Sequence, residues 1–165
     1  RALRATGHSV GLEEWFAAVH QPLLYSGFFK KDPKLRHLIQ SIPGRHIIFT
    51  NADSVHVETI LGLMGIRDCF ETEMVDIYRM NPDRQTTDLI CKPDPRAFDL
   101  AMAFAGAKTK TSIRFLDDNR MCTRVGKQKG WFTVQIGTDV LSSEHADACL
   151  LDVHGLLSLK EFTNL

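Results

Sequence analysis

Apolar positions recur at three- and four-residue spacing near the start of the chain, where Leu12, Trp15, Phe16 and Val19 form one stripe behind Glu13 and Glu14. That spacing predicts a helix, and acidic residues in a first turn suit a helix N-terminus. A loop over Pro22–Phe29 follows. Asp32-Pro33 then opens a second helix carrying Leu35, Leu38 and Ile39, which Pro43-Gly44 ends.

Beyond Gly44 the pattern changes to short apolar runs alternating with amphipathic stretches. His46–Thr50 reads as a strand, Ser54–Met64 as a helix stopped by Gly65, and Glu73–Asp76 as a further short strand. A polar stretch runs from Arg79 to Asp88. Asp94–Ala105 then reads as a helix with Pro95 in its first turn and Gly106 just behind it. Ser112–Leu116 is a strand, Arg120–Lys129 a helix closed by Gly130, and Thr133–Ile136 a strand closed by Gly137. This β-α-β-α-β order predicts an α/β fold with a parallel sheet and helices on both faces.

Composition narrows the function classes. The 165 residues suit one domain with a small appendage, and 20 basic residues balance 20 acidic ones. That balance gives no electrostatic reason to expect a nucleic-acid partner or a membrane surface. The longest apolar runs are too short to span a bilayer, and no signal-peptide pattern opens the chain. The four cysteines, Cys69, Cys91, Cys122 and Cys149, are widely spaced without a Cys-x-x-Cys pair. They read as buried thiols of a reducing, cytoplasmic compartment, with neither zinc nor a disulfide framework suggested.

The candidate chemistry lies at the predicted strand ends, where open parallel sheets bind ligands. Thr50-Asn51 offers a hydroxyl and the amides of a helix N-terminus to phosphate oxygens. The same residues also suit a plain strand terminus, with Asn51 or Asp53 capping the next helix. Lys92, directly before Pro93 and a helix, is either a solvated lysine or a fixed cation that neutralises phosphoryl charge. Asp117 and Asp118 follow Ile113-Arg114-Phe115-Leu116. Two adjacent carboxylates repel one another unless a cation or helix terminus relieves them, and capping accounts for one but not both. Mg²⁺ takes one or two carboxylates plus waters and substrate phosphate, so the pair suits that ion.

In this order, Thr50-Asn51, Lys92-Pro93 and Asp117-Asp118 resemble the second, third and fourth motifs of the haloacid dehalogenase-like (HAD) hydrolases. The segments Ile48–Asp53, Gly65–Phe70, Cys91-Lys92-Pro93, Phe115–Asp118 and Gly126-Lys127 are similar to the pyrimidine 5′-nucleotidase branch. The resemblance covers roughly Leu24 to Leu151. It implies a Rossmannoid three-layer α/β/α parallel sheet and a Mg²⁺-dependent phosphohydrolase working through an aspartyl-phosphate. Its substrate would be a small phosphorylated, nucleotide-like molecule. By that resemblance Thr50 and Asn51 hold phosphate, Thr50 and Lys92 serve catalysis, and Asp117 and Asp118 serve the metal. Residues 1–44 would then be the remnant of a helical cap with its connection, and 45–165 the α/β core.

Two departures accompany the resemblance. This chain has Cys122 where members of the branch often carry Asn, which alters a supporting hydrogen bond. Nothing before Val10 resembles the family's nucleophile motif, Asp-x-Asp at the end of a central first strand. Asp152-Val153-His154-Gly155 lacks the second Asp and reads as the start of the last helix. Losing a central strand with ~4 large apolar side chains forfeits roughly 6–12 kcal/mol of burial. That is comparable with the whole stability of a domain, about 5–15 kcal/mol. The expectation is therefore an N-terminally truncated fragment of a phosphohydrolase, without the central first strand and without its nucleophile. The alternative is a non-catalytic HAD-like protein that binds phosphate or a protein partner.

Overall fold

A computed structural model describes residues 6–8, 10–20, 25–84, 86, 88–139 and 142–163. The chain forms two compact units, one of residues 1–32 and 46–91, the other of 33–45 and 92–165.

In the first unit, helix α1 spans Leu12–His20, as the apolar stripe predicts, and buries Leu12. Of the expected loop, residues 21–24 lie outside the described residues; Tyr25–Gly27 makes one 3₁₀ turn. The expected strand at His46–Thr50 is shorter in fact. It makes a single parallel bridge, Phe49 to Val75, with Thr50 N donating to Val75 O and Val75 N to Ile48 O. Helix α3, Ser54–Met64, has the predicted bounds because both ends are chemically fixed. Asp53 caps its start, and Gly65 takes the left-handed conformation (φ 69°) in which its N–H reaches the carbonyls of Leu61 and Gly62. A short helix that was not expected, α4 (Ile77–Met80), follows, capped by Asp76 and running into the start of the polar stretch. Val57, Leu61, Ile66, Met74, Val75 and Met80 are among the buried apolar residues here.

In the second unit, α2 (Pro33–Ser41) buries Leu35, Leu38 and Ile39, and α5 (Pro95–Ala105) starts at the Asp94 cap and ends at left-handed Gly106. The sheet is entirely parallel, in the order β1 (Arg114–Asp117), β2 (Phe132–Ile136), β3 (Ala148–Leu150). Register pairs Arg114 with Phe132 and Asp117 with Gln135, then Val134 with Ala148 and Ile136 with Leu150. Helix α6 (Arg120–Gln128) crosses from β1 to β2. Strand β3 was not expected from the sequence. The final segment is helical as expected, but as 3₁₀ turns: Val153–Ser158, with Asp152 accepting from His154 N, and Lys160–Phe162.

The core behind β1 is aromatic. Phe98, Phe115 and Trp131 meet with ring centroids 5.4–5.7 Å apart. Gly126 of α6 presses on this cluster so closely that a Cβ there would lie 3.0 Å from both Phe115 and Thr133. Close packing at α6 thereby fixes the height of β1, and with it the position of Asp117 at the strand's carboxyl end. Among the described residues, no helix is long and apolar enough to cross a membrane.

Candidate functional site

The sequence-predicted residues fall in both units, and each group has its own local geometry. In the first unit, Thr50 ends the extended segment. Its backbone is tied to Val75, and its Oγ1 accepts from Ala52 N at 3.0 Å. This small side-chain turn carries the chain from Thr50 through exposed Asn51 to the α3 N-terminus. Of the two capping candidates, Asp53 is the cap: its Oδ1 accepts from His56 N at 2.9 Å.

In the second unit, Lys92 and Asp117 meet directly. Lys92 Nζ donates to Asp117 Oδ2 at 2.6 Å, with side-chain exposures of 11% and 7%. The ammonium also lies 5.5 Å from the centroid of the Phe115 ring, in cation–π range. The peptide between Lys92 and Pro93 is cis. Asp117 Oδ1 accepts from Asn119 N at 2.9 Å, which turns the chain after β1. Neither aspartate caps α6. Asn119 does, accepting from Met121 N. Asp118 is exposed.

Cys122 stands buried in the first turn of α6. Burial first, then the Asp117 charge, push its thiol up to about 12, with Lys92 pulling the other way. It is therefore an un-ionised thiol packed behind the pair and not a nucleophile. All four cysteines are free, and of the four only Cys122 is buried. Phe28, in the aromatic loop segment, is 80% exposed, while the Tyr25 hydroxyl reaches His56 Nδ1 at 2.8 Å.

Sequence reading missed one constellation in the first unit. His20 Nδ1 lies 2.6 Å from Asp53 Oδ2, and the His20 and His56 rings stack at 3.9 Å. The capping spacing Asp53-x-x-His56 was legible, but His20 lies 33 positions away in sequence and only folding reveals it. Among the described residues, no three His, Cys, Asp or Glu side chains converge as a metal cage.

Comparison with known proteins places this geometry in a wider context. No family profile matches the chain. Over 111 residues it is 29% identical to Phosphate metabolism protein 8 of Saccharomyces cerevisiae, covering 62% of this chain and 33% of that protein. Its fold is similar to that of L-2-haloacid dehalogenase from Xanthobacter autotrophicus with chloropropionic acid covalently bound. That match has a TM-score of 0.59 at 15% identity, over 78% of this chain and 60% of the dehalogenase chain. A second dehalogenase, solved with an intermediate complex, gives 0.61 at 16% identity over 76% and 53%. The chain thus spans a third of the length of its yeast relative and a little over half of these dehalogenases. The fold is accordingly a HAD-like Rossmannoid α/β fold with a parallel sheet.

Proposed function

We propose that the chain belongs to a Mg²⁺-dependent HAD-like phosphohydrolase acting on a small phosphate monoester. The observation that carries this reading is the Lys92–Asp117 pair, held 2.6 Å apart at the carboxyl end of a parallel strand and followed at once by exposed Asp118. Ligands in such sheets bind at that end. The partial identity to a yeast protein of phosphate metabolism and the dehalogenase-like fold support the reaction class. A nucleoside monophosphate is the substrate we favour, on the nucleotidase-like wording of Ile48–Asp53 and Gly65–Phe70.

The donor chemistry fits a magnesium ion. Asp117 and Asp118 provide hard carboxylate oxygens and leave the remaining positions to water and substrate oxygen, the usual division for Mg²⁺. Neither aspartate is used as the α6 cap; Asp118 is exposed, and Asp117 would offer the remaining lone pairs of a carboxylate already held by Lys92 and the Asn119 amide. Bound there, the ion would supply positive charge to the phosphate oxygens.

The chain's own residues would bind and neutralise. Lys92, oriented by Asp117 and sheltered from water, would set a fixed ammonium against phosphoryl charge that grows in the transition state. In a dry setting such a charge is worth more than in water. Thr50 accepts from Ala52 N through one lone pair and keeps its O–H to donate to a phosphate oxygen. Asn51, exposed at the α3 N-terminus, would add a side-chain amide. The covalent step is assigned to none of these side chains.

The test is phosphate release from p-nitrophenyl phosphate and a panel of nucleoside monophosphates, with Mg²⁺ or with EDTA, by protein made from the complete coding sequence. Mg²⁺-dependent release supports the reading. No release from any ester overturns it in favour of a binding role.

A further inference from the structure

We propose that His20, Asp53 and His56 form a proton-operated latch that holds α1 against the N-terminus of α3 near neutral pH and releases it in mild acid. The latch does not depend on the hydrolase reading.

Among the described residues, α1 is otherwise held by Leu12, by half-buried Phe16, whose ring meets Tyr78 edge-on at 6.0 Å, and by the Tyr25 hydroxyl, which donates to the His20 carbonyl at 3.3 Å. At nine residues it is too short to be stable alone, and its buried apolar residue is Leu12, at the far end from His20. Trp15 and Val19, one turn apart, are 44% and 40% exposed. An ion pair joins Glu13 to Arg84, but both side chains are at least half exposed, so its contribution is small. The other end is fastened at His20. Its Nδ1 lies 2.6 Å from Asp53 Oδ2, and its ring stacks on His56 at 3.9 Å with an 18° tilt and lies 5.3 Å from Phe16. Asp53 is itself buried and already caps α3 through Oδ1, so a carboxylate held by one helix grips the other.

The arrangement suits one imidazole proton and resists a second. One proton can be shared between His20 and the Asp53 carboxylate that its Nδ1 faces at 2.6 Å. His56 Nδ1 meanwhile lies 2.8 Å from the Tyr25 hydroxyl, within hydrogen-bond distance. A second proton, on His56, would place two cations in stacked contact with one carboxylate between them. Burial first and the His20 charge second hold His56 below the ordinary imidazole value, with Asp53 pulling the other way. At His56 the folded state therefore binds fewer protons than the unfolded state below about pH 6.5. The contribution of His56 is present above that value and lost as pH falls towards its lower folded value. Among the described residues, Tyr25 and Tyr78 also feel the Asp53 charge, and Tyr78 in turn feels Glu13, Arg84 and Asp76. Burial raises the two phenols, which keeps them neutral. Imidazoles are the side chains whose ordinary titration falls between about pH 5 and about pH 8.

Hydrogen exchange resolved by NMR tests the latch. The protection factors of α1 amides, taken relative to α3, should fall by up to about tenfold per pH unit below about pH 6.5, the dependence expected for one linked proton. His56→Asn, which keeps a partner for Tyr25 but cannot be charged, should keep α1 protected at the acid end. Ring-proton shifts of wild-type His20 and His56 give a second measure, because the later of the two titrations should coincide with the loss of α1 protection. Protection that is independent of pH, or that falls identically in His56→Asn, or that is lost at a pH where neither ring titrates, overturns the proposal.

Discussion

Lys92 Nζ stands 2.6 Å from Asp117 Oδ2, and both side chains are nearly closed off from solvent. An intact pair of this kind adds little net stability, because desolvation offsets the attraction, but stripping one partner from it is costly. Lys92→Met leaves the Asp117 carboxylate with the Asn119 amide and no ammonium, and should cost about 3–5 kcal/mol. The double variant Lys92→Met/Asp117→Asn should recover most of that loss. Urea midpoints at unchanged slope give the measurement. A double variant as unstable as the single one would show that the loss has another source.

Two glycines in helices should respond in opposite directions. Gly126→Ala drives a methyl to 3.0 Å from Phe115 and Thr133, an overpacking expected to cost about 1–3 kcal/mol. Gly62, inside α3, has nothing within 4 Å of where its Cβ would lie. There Gly62→Ala should raise stability by up to about 1 kcal/mol through helix propensity alone. Thermal unfolding of the two variants side by side checks the contrast in sign.

Asp147 should contribute acid sensitivity in the second unit. Burial pushes its carboxyl up, but Lys127 Nζ at 2.6 Å and the Thr133 amide and hydroxyl outweigh it, for a net lowering. A lowered carboxyl binds fewer protons folded than unfolded, so its stabilisation is present above the ordinary carboxylate value of about 3.9 and lost as pH falls below it. Asp147→Asn should therefore be less stable at neutral pH and flatten the loss of stability below about pH 4. Denaturation midpoints across that range would show the difference, and parallel curves for the two proteins would contradict it.

The parts of the fold that were legible in the sequence are those fixed by local chemistry. Helices α3 and α5 have the expected bounds because Asp53 and Asp94 cap their starts and Gly65 and Gly106 adopt left-handed turns at their ends. Strand β3 escaped because three residues, Ala148–Leu150, are too few to show a period; pairing with Val134–Ile136 makes them a strand. His46–Thr50 misled in the other direction, since an apolar run sets burial but not how many ladder bonds a neighbour supplies. In the candidate site, the Asp117-Asp118 pair stood out as chemistry, yet the residue that frees both from capping is Asn119, a strong cap former directly after them. The tie between Lys92 and Asp117, and that between His20 and Asp53, join residues 25 and 33 positions apart, beyond the reach of any local pattern.

The central claim is that Asp118, exposed beside the Lys92–Asp117 pair, serves a Mg²⁺-dependent phosphohydrolase, and Asp118→Asn tests it with the least risk to folding because that side chain is not buried. In protein made from the complete coding sequence, steady-state phosphate release should rise with Mg²⁺ in the wild type. In the variant it should fall by about a hundredfold or more, as when one charge-stabilising group is lost from an active site. Wild-type turnover and unchanged Mg²⁺ dependence in Asp118→Asn would contradict the account.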